Sequence, residues 1–124
     1  MAWKGVVIEE SLEHKGLLDL VTIVRTKRAF LEGEKGRGVL HFHLIEVGDQ
    51  EEGAFVRAAE KSIKNGWYIH ICKDGIMVVI YRGRAFEFME NQKEGLEEAR
   101  AYGLSLGIPE GQLTFENLIK NPFS

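Results

Sequence analysis

The chain carries a single cysteine, Cys72, among 124 residues. A lone thiol closes no intramolecular disulfide and builds no four-cysteine zinc site, and this usage fits a reducing compartment. Only two prolines occur, and no low-complexity tract marks a linker or a disordered tail. An excess of positive charge is also missing: 16 basic side chains stand against 19 acidic ones, a formal net charge of -3. With the two signs interspersed, no field gathers a polyanion, and nucleic acid is not an expected partner. The opening "MAWKGVVIEE" has one lysine and a short apolar run ended by two glutamates. That pattern predicts neither a signal peptide nor a membrane span, and the expected location is the cytoplasm.

What is present is the composition of one globular domain, 44% hydrophobic and 28% charged. A domain of this size buries roughly two thirds of its unfolded surface, enough for a core without a covalent staple.

Lys4 to Ser11, "KGVVIEES", is a β-branched run with charged ends and predicts a first strand. The segment from Leu17 to Leu31 is ambiguous: Leu17, Leu20, Val21 and Val24 keep helical spacing, while Val21, Thr22, Ile23, Val24 and Thr26 favour a strand. Strand is the reading adopted, joined through "GEKGRG" (Gly33 to Gly38) to "VLHFHLIEV" as a hairpin.

A first helix follows, with Asp49 and Glu52 as a capping pair, Phe55, Val56, Ala59 and Ile63 as its buried stripe, and Asn65-Gly66 as its end. In "GWYIHICKDGIMVVIYRGRAFEF" two apolar runs meet at Asp74-Gly75, a dipeptide suited to a primed hairpin turn. Asn91 and Glu94 open a second helix, in which Leu96, Ala99, Gly103 and Leu106 share a side. Gly107 and Pro109 end it. The predicted order is β-β-β-α-β-β-α with a short turn or helix near "TFENLI". This is a single two-layer α+β domain, an antiparallel sheet of about five strands with two helices on one face.

At "HFHLIEV", "GWYIHI", "VVIYRGRAFEF" and above all "YGLSLGIPEGQLTF" the chain resembles a small group of uncharacterised prokaryotic proteins of roughly 120 residues. The resemblance spans most of the chain. It implies a single cytoplasmic domain and supplies no catalytic residues.

Alternation along strands decides which side chains share a face. In the third strand Leu40, Phe42 and Leu44 form one set, and Val39, His41, His43, Ile45 and Val47 the other. In the next hairpin Trp67, Ile69 and Ile71 oppose Tyr68, His70 and Cys72. If the faces align, His41, His43, His70 and Cys72 converge with ligand types suited to zinc. The competing reading makes these histidines structural or interfacial. Cys72 with His70 has the residue types of a nucleophile and base, though an apolar-strand cysteine is more often an inert small hydrophobe.

"GLSLG" around Ser105 matches a hydrolase pattern in letters only, because a helix and not a strand precedes the serine. "GEKGRG" lacks the ending of a phosphate loop, and Lys27, Arg28, Lys35 and Arg37 near it read as solvated strand ends. Both faces of the sheet carry apolar residues, so the second face needs a cover. Either a second copy in a homodimer or a small-molecule cleft supplies it, with Tyr68, His70 and Tyr81 as ligand-binding candidates. The expected function is a binding or interaction module, and the alternative is a metal-dependent enzyme centred on His41 and His43.

Overall fold

The computed structural model describes residues 2–29 and 38–123. Six strands form one sheet: β1 (Ala2–Ile8), β2 (Thr22–Ala29), β3 (Leu40–Gly48), β4 (Ile69–Lys73), β5 (Ile76–Tyr81) and β6 (Arg84–Met89). Their spatial order is β2-β3-β1-β4-β5-β6, with every neighbouring pair antiparallel. Three α-helices are α1 (Glu52–Ser62), α2 (Lys93–Ser105) and α3 (Phe115–Lys120). None of the helices is long and apolar enough to cross a membrane among the described residues.

The α+β antiparallel class is the one the residue pattern predicts, and the sheet holds one strand more than the five expected. "IMVVIYRGRAFEF" is two strands, because Gly83 takes a left-handed φ of +77° and lets Tyr81 pair with Arg84. The neighbouring turn is as expected: Asp74 and Gly75 both have positive φ, 50° and 78°, the requirement of a primed two-residue hairpin.

The ambiguous segment contains both signals in succession. Lys15–Leu20 winds into a 3-10 helix that buries Leu17, and β2 starts at Thr22. Residues 30–37, including Lys35, Arg37 and most of "GEKGRG", lie outside the described residues.

The helix starts differ by a residue or two from the expected caps. Glu51 precedes α1 without a side-chain cap, and Asp49 instead pairs with Lys73. At α2, Gln92 takes the cap position and its Oε1 accepts the Met89 amide at 2.8 Å. The end of α2 is a Schellman closure, in which the Gly107 amide donates to the Leu104 carbonyl at 3.0 Å and the Ile108 amide to Gly103 at 3.1 Å. Ser105 sits on this last turn, donating to the Tyr102 carbonyl at 2.6 Å, so it stands on no nucleophile elbow.

The expectation of two helices on one face is corrected by the β5 alternation. Val78 and Ile80 belong to one core with Trp3, Val7, Ile45, Val47, Ile69 and Ile71, closed by Phe55, Ala59 and Ile63 at α1. Met77, Val79 and Tyr81 belong to a second core with Cys72 and Phe88, closed by Leu96 and Ala99 of α2 and by Phe115, Leu118 and Ile119 of α3. A central strand apolar on both faces needs a layer on each side, so the order is helix, sheet, helix. For the β4–β6 half of the second face, α2 and α3 provide the cover that the apolar content demanded.

β1 joins the two halves of the sheet, and its approach to β4 is unusually close at Gly5. A Cβ built there would lie 1.9 Å from the His70 carbonyl oxygen and 2.9 Å from the Ile71 Cα. Backbone atoms cannot step aside for a methyl group. Gly5→Ala is expected to lower unfolding free energy by on the order of 3 kcal/mol in a urea titration. Gly16→Ala, where nothing lies within 4 Å, is expected to change it by less than about 0.5 kcal/mol.

Candidate functional site

Where the cover of α3 ends, the second face of the sheet opens into a cavity of about 200 Å³. Its floor is Val6 and Ile8 of β1, Phe42 of β3 and His70 of β4. Its walls are Trp67 and Tyr68 on the approach to β4, with Ile108, Gln112, Thr114 and Leu118 from the C-terminal segments. Register explains the floor: Val6 faces His70 across β1 and β4, and Ile8 faces Phe42 across β1 and β3. Among the described residues that line it, none is an acid, a lysine or an arginine.

His70 is 5% exposed, and its Nε2 meets the Pro122 carbonyl at 2.8 Å. A carbonyl only accepts, so Nε2 carries the proton and Nδ1 is the bare acceptor. Among the described residues Nδ1 has no hydrogen-bond partner. Burial holds the imidazole neutral, pulling its pKa down to about 4 against the opposing pull of the Pro122 carbonyl. Tyr68 donates its hydroxyl to the Gln112 carbonyl, and its ring meets Phe115 edge-on with centroids 5.5 Å apart. Burial also raises the Tyr68 pKa, so the phenol stays protonated.

Tyr81, the third expected ligand residue, is elsewhere. It is buried between β5 and α2, donating to the Ala99 carbonyl at 2.6 Å, with the Tyr102 ring 5.0 Å away centroid to centroid. Cys72 is likewise core: its Sγ meets the Leu118 carbonyl at 3.6 Å, and burial pushes the thiol up to about 12. His70 donates its Nε2–H to the Pro122 carbonyl and has no hydrogen bond to Cys72 among the described residues. The pair therefore has neither the geometry nor the thiolate of a nucleophilic site.

The sheet also divides the expected metal set. His41 and His43 share parity with Ile45 and Val47, on the α1 face, whereas His70 and Cys72 point to the α2 and α3 face. The two halves cannot reach one ion through a sheet.

His41 and His43 meet two residues that strand alternation could not nominate. After β1 the chain turns in a short 3-10 helix, Glu9–Ser11, which lays two consecutive glutamates over β3. Glu10 accepts the His41 amide at 2.8 Å and faces His41 Nδ1 at 2.6 Å. Glu9 faces His43 Nε2 at 2.9 Å, and Thr26 Oγ1 is 2.8 Å from His43 Nδ1. The turn is tied down, since Leu12 bridges Ile63, Lys64 donates to the Ser11 carbonyl and Glu13 to that of Ser62. The signal in sequence was "EES" itself, read as the charged end of a strand.

No protein-family model, curated protein or solved structure matches the chain.

The depressed His70 pKa sets a pH dependence of stability. Above the unfolded value of 6.5 both states are neutral at this residue and it contributes no slope. As pH falls from 6.5 toward 4, the unfolded chain takes up a proton that the folded one refuses, so stability drops. The loss reaches at most about 3 kcal/mol by pH 4. Chemical denaturation across that range checks it, with His70→Gln expected to flatten the slope.

Proposed function

We propose that this chain is a binding module for a small neutral molecule, with the cavity on the second sheet face as its site. The observation that carries this reading is a cavity of about 200 Å³ with no acid, lysine or arginine among the described residues of its wall. A dry cavity of about 150 Å³ accepts a benzene ring, so the space suits a single-ring ligand. An anion would lose its hydration and gain no cation in return. Trp67, Tyr68 and Phe42 supply apolar and aromatic contact, and the free Nδ1 of His70 supplies one acceptor for a ligand O–H or N–H. Binding without turnover is the reading favoured because the cavity lacks an activated nucleophile: its histidine is a buried neutral group held by a backbone carbonyl.

Amide chemical shifts of the isotope-labelled chain, titrated with phenol, toluene and benzoate, test the proposal. Phenol is expected to move the resonances of Gly66, Tyr68, His70, Gln112 and Thr114, toluene to move them more weakly, and benzoate to leave them in place. Val6→Phe, which fills the floor, is expected to abolish the phenol shifts while the rest of the spectrum stays folded. Silence toward all three probes, or shifts that survive Val6→Phe, would sink the reading.

A further inference from the structure

On the opposite face from the cavity, the turn after β1 and the start of β3 bring a mixed oxygen and nitrogen donor set together. We propose that Glu9, Glu10 and His41 bind one first-row divalent cation per chain, with His43 as a positioning residue for Glu9. One donor atom from each of the three residues lies within 4.8 Å of the others. Around a tetrahedral ion with bonds of about 2.1 Å, ligand atoms stand roughly 3.4 Å apart. The His41 Nδ1 and Glu10 Oε2 atoms, 2.6 Å apart across a shared proton, would open toward that spacing around the ion.

The internal bonds engage one oxygen of each carboxylate away from the site and leave the other facing a group that a bound cation would displace. Glu10 Oε1 is held by the His41 amide, and Oε2 accepts the Nδ1 proton of His41 at 2.6 Å, the proton a bound cation would displace. Glu9 Oε1 is held by His43 Nε2, which leaves Oε2 with a 3.5 Å contact to Lys15, a side chain 66% exposed. His43 is itself fixed. It is 7% exposed, and because a carboxylate only accepts, its Nε2 carries the proton and its Nδ1 accepts from the Thr26 hydroxyl. A hydroxyl, an imidazole and a carboxylate in series orient the ligand oxygen as outer-shell partners do in metal sites.

Charge points the same way. Two carboxylates of consecutive residues stand within a few ångströms of each other, and Lys15 is the one lysine or arginine in ion-pair contact with them among the described residues. Sulfur is absent from the set, since Cys72 is on the other face, so imidazole and carboxylate select Zn²⁺, Mn²⁺ or Fe²⁺ over thiophilic ions. The ligands are part-exposed, Glu9, Glu10 and His41 at 32, 34 and 40%, so water completes the shell.

Zn²⁺ is the probe. Calorimetric titration of the chelator-treated full chain at pH 7.5 is expected to give one Zn²⁺ per chain. Glu10→Gln and His41→Ala are each expected to weaken binding at least tenfold, and His43→Gln by about tenfold. His14→Ala, at an exposed histidine outside the cluster, is expected to leave it unchanged. Because His41 Nδ1 must give up its proton to bind, each Zn²⁺ bound should release a proton and affinity should weaken as pH falls. Should a variant fail to fold, Mn²⁺ broadening of wild-type amide resonances reads the same site, and it is expected to centre on Glu10 and His41. No stoichiometric binding, binding that persists in His41→Ala, or broadening centred elsewhere would overturn the proposal.

Discussion

A short ladder holds the molecule together as one sheet. Between β1 and β4 only Lys4, Gly5 and Val6 find partners, in Cys72, Ile71 and His70. On one side of that seam lies the β2-β3 pair with β1, on the other the β4-β5-β6 meander. Its narrowness follows from Gly5, whose missing side chain lets the two backbones approach. The seam sets the position of both candidate sites. The cavity straddles it, with Val6 and Ile8 on one bank and His70 on the other, while the carboxylates ride on the turn that β1 enters as it leaves the sheet.

Much of the architecture was legible because strand and turn chemistry act over a few residues. The Asp74-Gly75 turn, the β2-β3 pairing and the stripe of α1 are read from alternation, propensity and a dipeptide. What failed to show is what depends on pairing partners far apart in the chain. Parity within β3 groups His41 with His43, and parity within β4 groups His70 with Cys72. Only the register through β1 tells whether those two sets share a face, and Val7 opposite His43 with Val6 opposite His70 puts them on different ones. Glu9 and Glu10 were invisible as site residues for the same reason: each contacts a histidine more than thirty positions away. Of the three residues expected to bind a ligand, Tyr68 and His70 line the cavity because both follow one strand's alternation, whereas Tyr81 faces α2.

The two faces surround their histidines with different groups. His70 is enclosed by apolar groups and a carbonyl, where an ionised ring has no counter-charge. His41 and His43 instead hydrogen-bond to the Glu10 and Glu9 carboxylates. One sheet thus carries an uncharged recess on one side and a charged cluster on the other, separated by the thickness of the strands.

The placement of β1 has a consequence for how the chain reaches this structure. The first strand in sequence is central in space, paired to β3 some forty residues on and to β4 nearly seventy residues on. Closing loops of that length costs entropy before either ladder repays it. The meander is local and can form early, whereas β1 has no complete pair of neighbours until β4 exists. A polypeptide growing from its amino terminus therefore carries β1 with at most one of its two ladders until β4 has emerged.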